Sequence, residues 1–204
     1  LADELDADRI VEIARATAAA GTRNVPTEIL IEQYVNDIPV EELRNRPEMR
    51  YMPEETVQRW ADAKAEALAE SGFEPEVAAL AIELRRRLIL ELQRAGAGLL
   101  LGSDSPQVFN VPGFATHRDL DALVAAGLTP YEALRSGTAA VAEFLGSNTG
   151  VVAVGREADL VLLNANPLTD IRNSHRIHGV MLRGAWYSAA ALERRLAPYR
   201  AANE

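Results

Sequence analysis

The chain has 204 residues, of which 48% are hydrophobic and 25% are charged, so it is long enough to bury a core of its own. It carries 21 Lys and Arg against 30 Asp and Glu, and this net charge of −9 argues against a nucleic-acid partner or an anionic membrane surface. No apolar run approaches the roughly 20 residues of a membrane helix, and the absence of Cys excludes disulfides and thiolate metal sites.

The amino-terminal part predicts one helix and one strand. A helix is expected over about residues 6–20, with its end at Gly21, because apolar residues recur at helical spacing up to that glycine. Residues 22–27 tolerate β structure until a proline stops the ladder. We therefore expect a short strand there, with Thr27 and Glu28 at its carboxyl end. No signal-peptide pattern is visible before this helix, but the chain begins at Leu1 and its true start is expected upstream. The compartment therefore stays undetermined, with the cytoplasm favoured.

A long excursion follows this strand. Residues 34–51 are interrupted by prolines and predict either a lid over a functional site or a plain surface insertion. Two amphipathic helices are expected next, one from Pro53 to about Gly72 and one beginning near Pro75.

The most informative stretch is residues 99–106, which read Leu-Leu-Leu-Gly-Ser-Asp-Ser-Pro. The three leucines predict a strand buried on both faces, and Pro106 forbids further ladder pairing. Parallel α/β folds place their chemistry at the carboxyl ends of buried strands, which makes Asp104 a candidate catalytic residue. The alternative is that Asp104 only caps a turn or the next helix.

Two helix starts follow this stretch. One helix is expected to begin at Thr116, with Asp119 as a weak capping-box partner, and a stronger start signal combines cap, proline and glutamate at residues 129–132. His117 falls in the first turn of the former helix. Its ring could face the same cavity as Asp104 and bind a substrate carboxylate, or it could be an ordinary surface residue.

The last part of the chain predicts a small β unit. Short strands are expected over residues 151–154, 160–163, 177–182 and 185–187. Gly184 would close a hairpin, and a final helix is expected over residues 188–196. His175 and His178 are three apart in a β segment and point to opposite faces, so we expect structural or surface roles for them.

Several motifs, taken in order, resemble the carboxyl-terminal half of the amidohydrolase superfamily. They lie at residues 99–105, 111–114, 117–120, 126–134, 150–163, 166–168 and 179–184. The last of them are similar to the returning β-sandwich strands of the imidazolonepropionase-like and prolidase-like branch. Each motif alone is weak, but the ordered series over about residues 25–187 is specific.

The resemblance implies an α/β fold, namely the carboxyl-terminal portion of a (β/α)8 TIM-type barrel plus part of a small β-sandwich. Residues 1–146 would contain barrel strands seven and eight with their helices. Residues 147–187 would form the returning strands of the sandwich, and residues 188–204 a final helix and tail.

The resemblance also implies a metal-dependent hydrolase that cleaves amide-type C–N bonds in small substrates, such as dipeptides or N-acyl compounds, through a metal-activated water. Asp104 matches the acid at the end of the eighth strand, which contacts the metal and carries a proton to the leaving group. His117 and Phe114 are expected to bind the substrate. The implied cofactor is one or two divalent ions, expected to be zinc.

The family's His-x-His pair, its bridging Lys or acid and its two later His ligands have no counterpart in this sequence. A catalytic zinc needs about three protein ligands, so the remaining ligands are expected upstream of this chain. The expected partners are the missing amino-terminal half of the same protein, a small-molecule substrate and further copies in a homo-oligomer. Two alternatives stay open: a non-catalytic half-barrel module for oligomer or partner contacts, and a deaminase or a lactam or ester hydrolase of the same superfamily.

Overall fold

A computed structural model describes residues 9–69 and 74–201. The helices are α1 (Arg9–Ala19), α2 (Glu28–Val35), α3 (Val40–Arg44), α4 (Glu54–Ala69), α5 (Pro75–Ala95), α6 (Phe114–Ala125), α7 (Pro130–Ser136), α8 (Ala139–Leu145) and α9 (Ala189–Ala201). The strands are β1 (Leu160–Leu163), β2 (Ile177–Leu182) and β3 (Ala185–Ser188), and 3₁₀ turns cover Pro47–Tyr51 and Ile171–His175. The predicted start of the first helix at Asp6 and the predicted helix end at Gly72 lie outside the described residues.

The two predicted parallel strands meet, but as a single bridge. Asn24 pairs with Leu99 in parallel, and the Asn24 amide donates to the Gly98 carbonyl at 3.1 Å while the Leu100 amide donates to the Asn24 carbonyl at 2.8 Å. The strand predictions for residues 22–27 and 99–101 were therefore wrong in extent. The ladder stops because its next rung would need an amide donor at residue 26, and Pro26 has none. On the opposite side of the second segment, the Leu101 amide donates to the Ser136 carbonyl at the end of α7 at 3.0 Å.

The main core surrounds this bridge. Its members are buried apolar side chains of α1, α5, α6 and the second β segment, among them Ala14, Ile89, Leu92, Leu99 and Leu123. Leu99 and Leu100 are both buried, as expected for a segment covered on two faces.

The excursion after the first β segment forms a second core. It folds into α3, the first 3₁₀ turn and α4, whose apolar residues pack with Phe109 and Val111 from the loop after the second β segment. Residues 34–51 are thus partly helical and packed against α4 and the loop after the second β segment. They support the loop that begins at Gly102.

The β unit is a three-stranded antiparallel sheet in the order β1-β2-β3. A two-residue turn at Arg183 and Gly184, both with positive φ, closes the predicted hairpin between Leu182 and Ala185. The strand predicted over residues 151–154 is absent from the described structure, because this segment pairs with no other strand there.

The chain ends in a helix that runs further than the sequence indicated. Helix α9 continues past Leu196 to Ala201, and near its end Arg200 donates to the Tyr51 hydroxyl at 2.9 Å. This contact ties the carboxyl-terminal helix to the second core. In the described ranges, no helix combines the length and the apolar character that spanning a membrane requires.

Candidate functional site

The loops that follow the two β segments lie at one edge of the fold, because the Asn24–Leu99 bridge is parallel. After the first segment, Thr27 adopts a positive φ of 48° and α2 begins at Glu28. After the second, residues 102–106 carry Asp104. Asp104, the candidate catalytic residue, was predicted from the sequence to lie at this edge.

Asp119 joins these two loops from helix α6. Its side chain is fully buried, and Oδ1 accepts a hydrogen bond from the Ile29 amide at 3.1 Å. The Glu28 and Gly102 amides also attract this carboxylate. Asp119 therefore acts on the start of α2 and does not form the predicted capping box with Thr116. Helix α6 in fact begins two residues before Thr116, at Phe114.

The carboxylate of Asp104 is exposed and held on one side. Its Oδ2 accepts a hydrogen bond from the side chain of Gln107 at 2.7 Å, and its backbone lies in the left-handed region with φ of 50°. Among the described residues, Oδ1 accepts no hydrogen bond, and no backbone amide of a helix or turn donates to this side chain. The contacts therefore give no support to the capping alternative for Asp104.

Two buried polar side chains, those of Asn110 and Gln33, are hydrogen-bonded to each other and to the loop that carries Asp104. Asn110 donates from Nδ2 to the Ser103 carbonyl, and its own Oδ1 accepts from Gln33 Nε2 at 3.3 Å. Phe109, which is 1% exposed, packs edge-on against Trp60 of α4 at 5.9 Å between ring centroids. Neither Asn110 nor Gln33 was predicted as a site residue from the sequence.

Two acids at this edge are buried next to each other. Burial raises the pKa of Asp119 to about 6, the charge of Glu28 adds to the effect, and the neighbouring backbone amides oppose it. Burial also raises the pKa of Glu28, against the opposing charge of Arg85, which lies 2.9 Å from Glu28 Oε2. Glu28 Oε1 and Asp119 Oδ2 have no hydrogen-bond partner among the described residues.

Several basic side chains lie close to Gln33. Arg46 donates to Gln33 Oε1, and burial together with the nearby charge of Arg118 lowers the pKa of Arg46 to about 10. Arg118 donates from Nε to Glu48 Oε1 at 2.7 Å. Fully buried Lys64 donates to the Gln33 carbonyl at 2.7 Å, and burial lowers its pKa.

His117 is turned toward the β unit. Its Nδ1 lies 3.1 Å from the Ser174 hydroxyl, and its ring lies 4.9 Å from the ring of His175. Burial, followed by the charge of His175, lowers the pKa of His117, and Asp121 opposes this change. His117 lines a cavity of about 420 Å³ together with residues such as Leu101 and others of α6, α7 and β1, and Asp104 is not among the lining residues.

Phe114 belongs to the second core. Its ring stacks on Tyr51 at 5.5 Å between centroids, and it packs near Phe109 and Val111 at the base of the Asp104 loop. The three sequence-predicted site residues are therefore divided. Asp104 lies in the loop after the second β segment, Phe114 packs against the second core at the start of α6, and His117 contacts the turn that leads into β2.

The described side chains do not form a complete binding site for a divalent metal. Among residues 9–69 and 74–201, no three His, Asp or Glu side chains form a group that could hold an ion. Asp104 offers an exposed carboxylate with one oxygen free of hydrogen bonds from the described residues, which suits it to be one ligand of a metal ion. His175 and His178 are surface residues that contact Asp121 and Asn164, respectively, each at 3.0 Å.

Comparison with known proteins gives a consistent set of matches. Residues 2–187 match the family model described as the amidohydrolase family, and no curated protein matches the chain. Among solved structures, bottromycin amidohydrolase is 25% identical with a TM-score of 0.71, over 87% of this chain and 40% of that one. A Xaa-Pro dipeptidase with bound methionine in the active site is 19% identical with a TM-score of 0.58, over 87% and 37%. A putative prolidase from Bifidobacterium longum is 31% identical with a TM-score of 0.51, over 66% and 35%. The chain thus spans at most 40% of the length of these structures.

Proposed function

Because this chain belongs to the amidohydrolase family, in agreement with the expected prolidase-like branch, we propose that it carries the second half of the active site of a metal-dependent hydrolase. The enzyme would cleave amide-type C–N bonds in small substrates, namely dipeptides or N-acyl compounds. In this proposal the two β segments are strands seven and eight of a (β/α)8 barrel, and the remaining metal ligands come from the other half of the protein.

The observation that carries the proposal is the placement of Asp104. It follows a buried segment at the edge where two parallel segments end, and its carboxylate is exposed with Oδ1 free of hydrogen bonds from the described residues. A carboxylate at this position is open to substrate and water. The contact between Oδ2 and Gln107 limits its rotation.

Asp104 would hold and move one proton. A divalent ion, expected to be zinc, would supply the activation of the attacking water. Asp104 Oδ1 takes the proton that the water loses as it adds to the amide carbon, and then gives it to the leaving nitrogen. The C–N bond breaks as this nitrogen becomes a neutral amine, and the carboxylate returns to its starting state.

Phe114 and His117 would have different parts in substrate binding. Phe114, packed against the second core that supports the Asp104 loop, would form one wall of the substrate site. His117 would reach only a substrate group that extends toward the 420 Å³ cavity next to the β unit.

The test is Asp104→Asn in the intact protein with its metal content measured. Loss of a general acid–base group lowers turnover typically by about 10²–10⁴-fold, so kcat on a panel of dipeptides and N-acyl amino acids should fall by that factor. The thermal midpoint should not change. The matched control is Asp62→Asn, because Asp62 is an exposed acid that also accepts from a Gln side chain, that of Gln58, at 2.8 Å.

Near-normal turnover in Asp104→Asn would overturn the proposal. Wild-type protein that is loaded with metal but hydrolyses no substrate of the panel would favour the non-catalytic module instead.

A further inference from the structure

We propose that Asn110 is a positioning residue for Asp104, and that Gln33 and Arg46 set the orientation of its side-chain amide. The inference rests on the proposed function, because it concerns how the carboxylate of Asp104 is aimed. Gln33 and Arg46 lie far from Asp104 in the sequence, and Asn110 lies close to it but belongs to no motif.

Asn110 controls both the backbone and the side chain of Asp104. Its Nδ2 donates to the carbonyl of Ser103, which belongs to the peptide group that enters Asp104. Its backbone amide donates to the Gln107 carbonyl at 2.6 Å, and Gln107 in turn holds Asp104 Oδ2 at 2.7 Å. Asn110 therefore contacts the Asp104 loop at two points, through its side chain at Ser103 and through its backbone at Gln107.

The backbone of this loop needs such support. Asp104 and Phe109 both have positive φ, at 50° and 54°, and a side chain other than glycine adopts this region at an energetic cost. Fixing the Ser103 carbonyl restricts the rotation of the peptide plane that sets φ of Asp104. The Asn110 contact is thus placed where the loop is least favourable locally.

The hydrogen bonds have one possible direction. Arg46 can only donate, so Gln33 must present Oε1 to it and Nε2 to Asn110. Asn110 must then present Oδ1 to Gln33 and Nδ2 to the Ser103 carbonyl, which can only accept. The guanidinium at one end and the Ser103 carbonyl at the other therefore require the same orientation, with Nδ2 of Asn110 facing the Asp104 loop.

Gln33→Glu tests the direction of these hydrogen bonds without creating a cavity. Glutamate has the same shape and still accepts from Arg46, but its carboxylate cannot donate to Asn110 Oδ1. Asn110 then has an acceptor on each side, and its Nδ2 is expected to turn toward the stronger one, the carboxylate of residue 33, and to leave the Ser103 carbonyl. A purely structural role predicts unchanged catalysis wherever folding is preserved, because the new ion pair with Arg46 replaces the lost hydrogen bond.

In the intact, metal-loaded protein we expect Gln33→Glu to lower kcat by about 10–100-fold, the range typical of lost support for a metal ligand or a misaligned catalytic group. KM should stay within about twofold of its original value, since the substrate contacts are not removed. The metal dissociation constant, measured by chelator competition, should rise by about 10-fold or more because Asp104 is also the proposed ligand. The thermal midpoint is measured in parallel, and kcat is compared on folded protein, because a buried carboxylate carries a desolvation cost even beside Arg46.

Gln58→Glu is the matched control. Gln58 also accepts from an arginine, Arg44 at 2.7 Å, and donates to a side-chain oxygen, Asp62 Oδ1 at 2.8 Å, but on the exposed surface of α4. It should leave kcat and metal affinity unchanged. Gln33→Met, which removes both hydrogen bonds without adding charge, decides the case if Gln33→Glu does not fold.

Wild-type kcat and metal affinity in a folded Gln33 variant would overturn the positioning role, while a large loss in Asp104→Asn would leave the proposed function standing. Equal turnover of wild type and Asp104→Asn would overturn both.

Discussion

Asp119 predicts a pH-dependent stability that can be worked out from its surroundings. Its side chain is fully buried and burial raises its pKa from the ordinary 3.8 to about 6, so the folded state binds a proton more tightly than the unfolded state. The stabilisation by this proton is complete below about pH 4 and is lost as the pH rises through about 6. Each unit of pKa difference is worth roughly 1.4 kcal/mol, so the free energy of unfolding should fall by about 3 kcal/mol across this window.

Asp119→Asn removes the titration and keeps the hydrogen-bond acceptor. Asparagine Oδ1 can still accept from the Ile29 amide, as Asp119 Oδ1 does at 3.1 Å. The variant should therefore be less sensitive to pH, although Glu28, whose pKa is also raised by burial, keeps a smaller slope of the same sign.

The assay is urea unfolding followed by circular dichroism at several pH values between about 4 and 7, where the slope reports the difference in bound protons. Asp62→Asn, a change at an exposed acid, should retain the wild-type slope. Identical slopes for wild type and Asp119→Asn would refute the assignment of this titration to Asp119.

Two further predictions concern stability away from this edge. Thr129→Ala should cost about 1 kcal/mol in unfolding free energy because it removes the capping box of α7, whereas Thr116→Ala, inside α6 on its exposed side, should change it little. Gly150→Ala should lower the thermal midpoint more than Gly146→Ala. Both glycines have positive φ, but a Cβ at Gly150 would lie 2.7 Å from the Thr138 carbonyl oxygen, and a Cβ at Gly146 meets nothing within 4 Å. Equal losses within either pair, measured by thermal unfolding, would contradict these assignments.

The features predicted correctly from the sequence are those that depend on residues close together in the chain. The capping box at Thr129, the hairpin turn at Gly184 and the strands β1 and β2 are confirmed. Each depends on residues within a few positions, so a pattern of caps, glycines and alternating side chains determines it. The placement of Asp104 at the end of a buried segment follows for the same reason.

Long-range pairing could not be predicted from one sequence. Asn110 and Gln33 are 77 positions apart, and Asp119 and Ile29 are 90 apart. Asp119 illustrates the difficulty, because its spacing from Thr116 indicated a cap on its own helix. In the fold it is buried against the start of α2 instead, and only the three-dimensional packing of α6 on α2 determines that choice.

Buried polar groups cluster at the edge of the fold that carries Asp104. Gln33, Asn110, Glu28 and Asp119 are all buried at one edge of the fold, and two carboxylate oxygens there have no partner in the described structure. Apolar side chains of similar size would often stabilise a fold as well or better, because burying charged groups carries a desolvation cost. A polar cluster at that cost is reasonable where it fixes the geometry of a functional group. At this edge the group left exposed, with an oxygen free of hydrogen bonds from the described residues, is the carboxylate of Asp104.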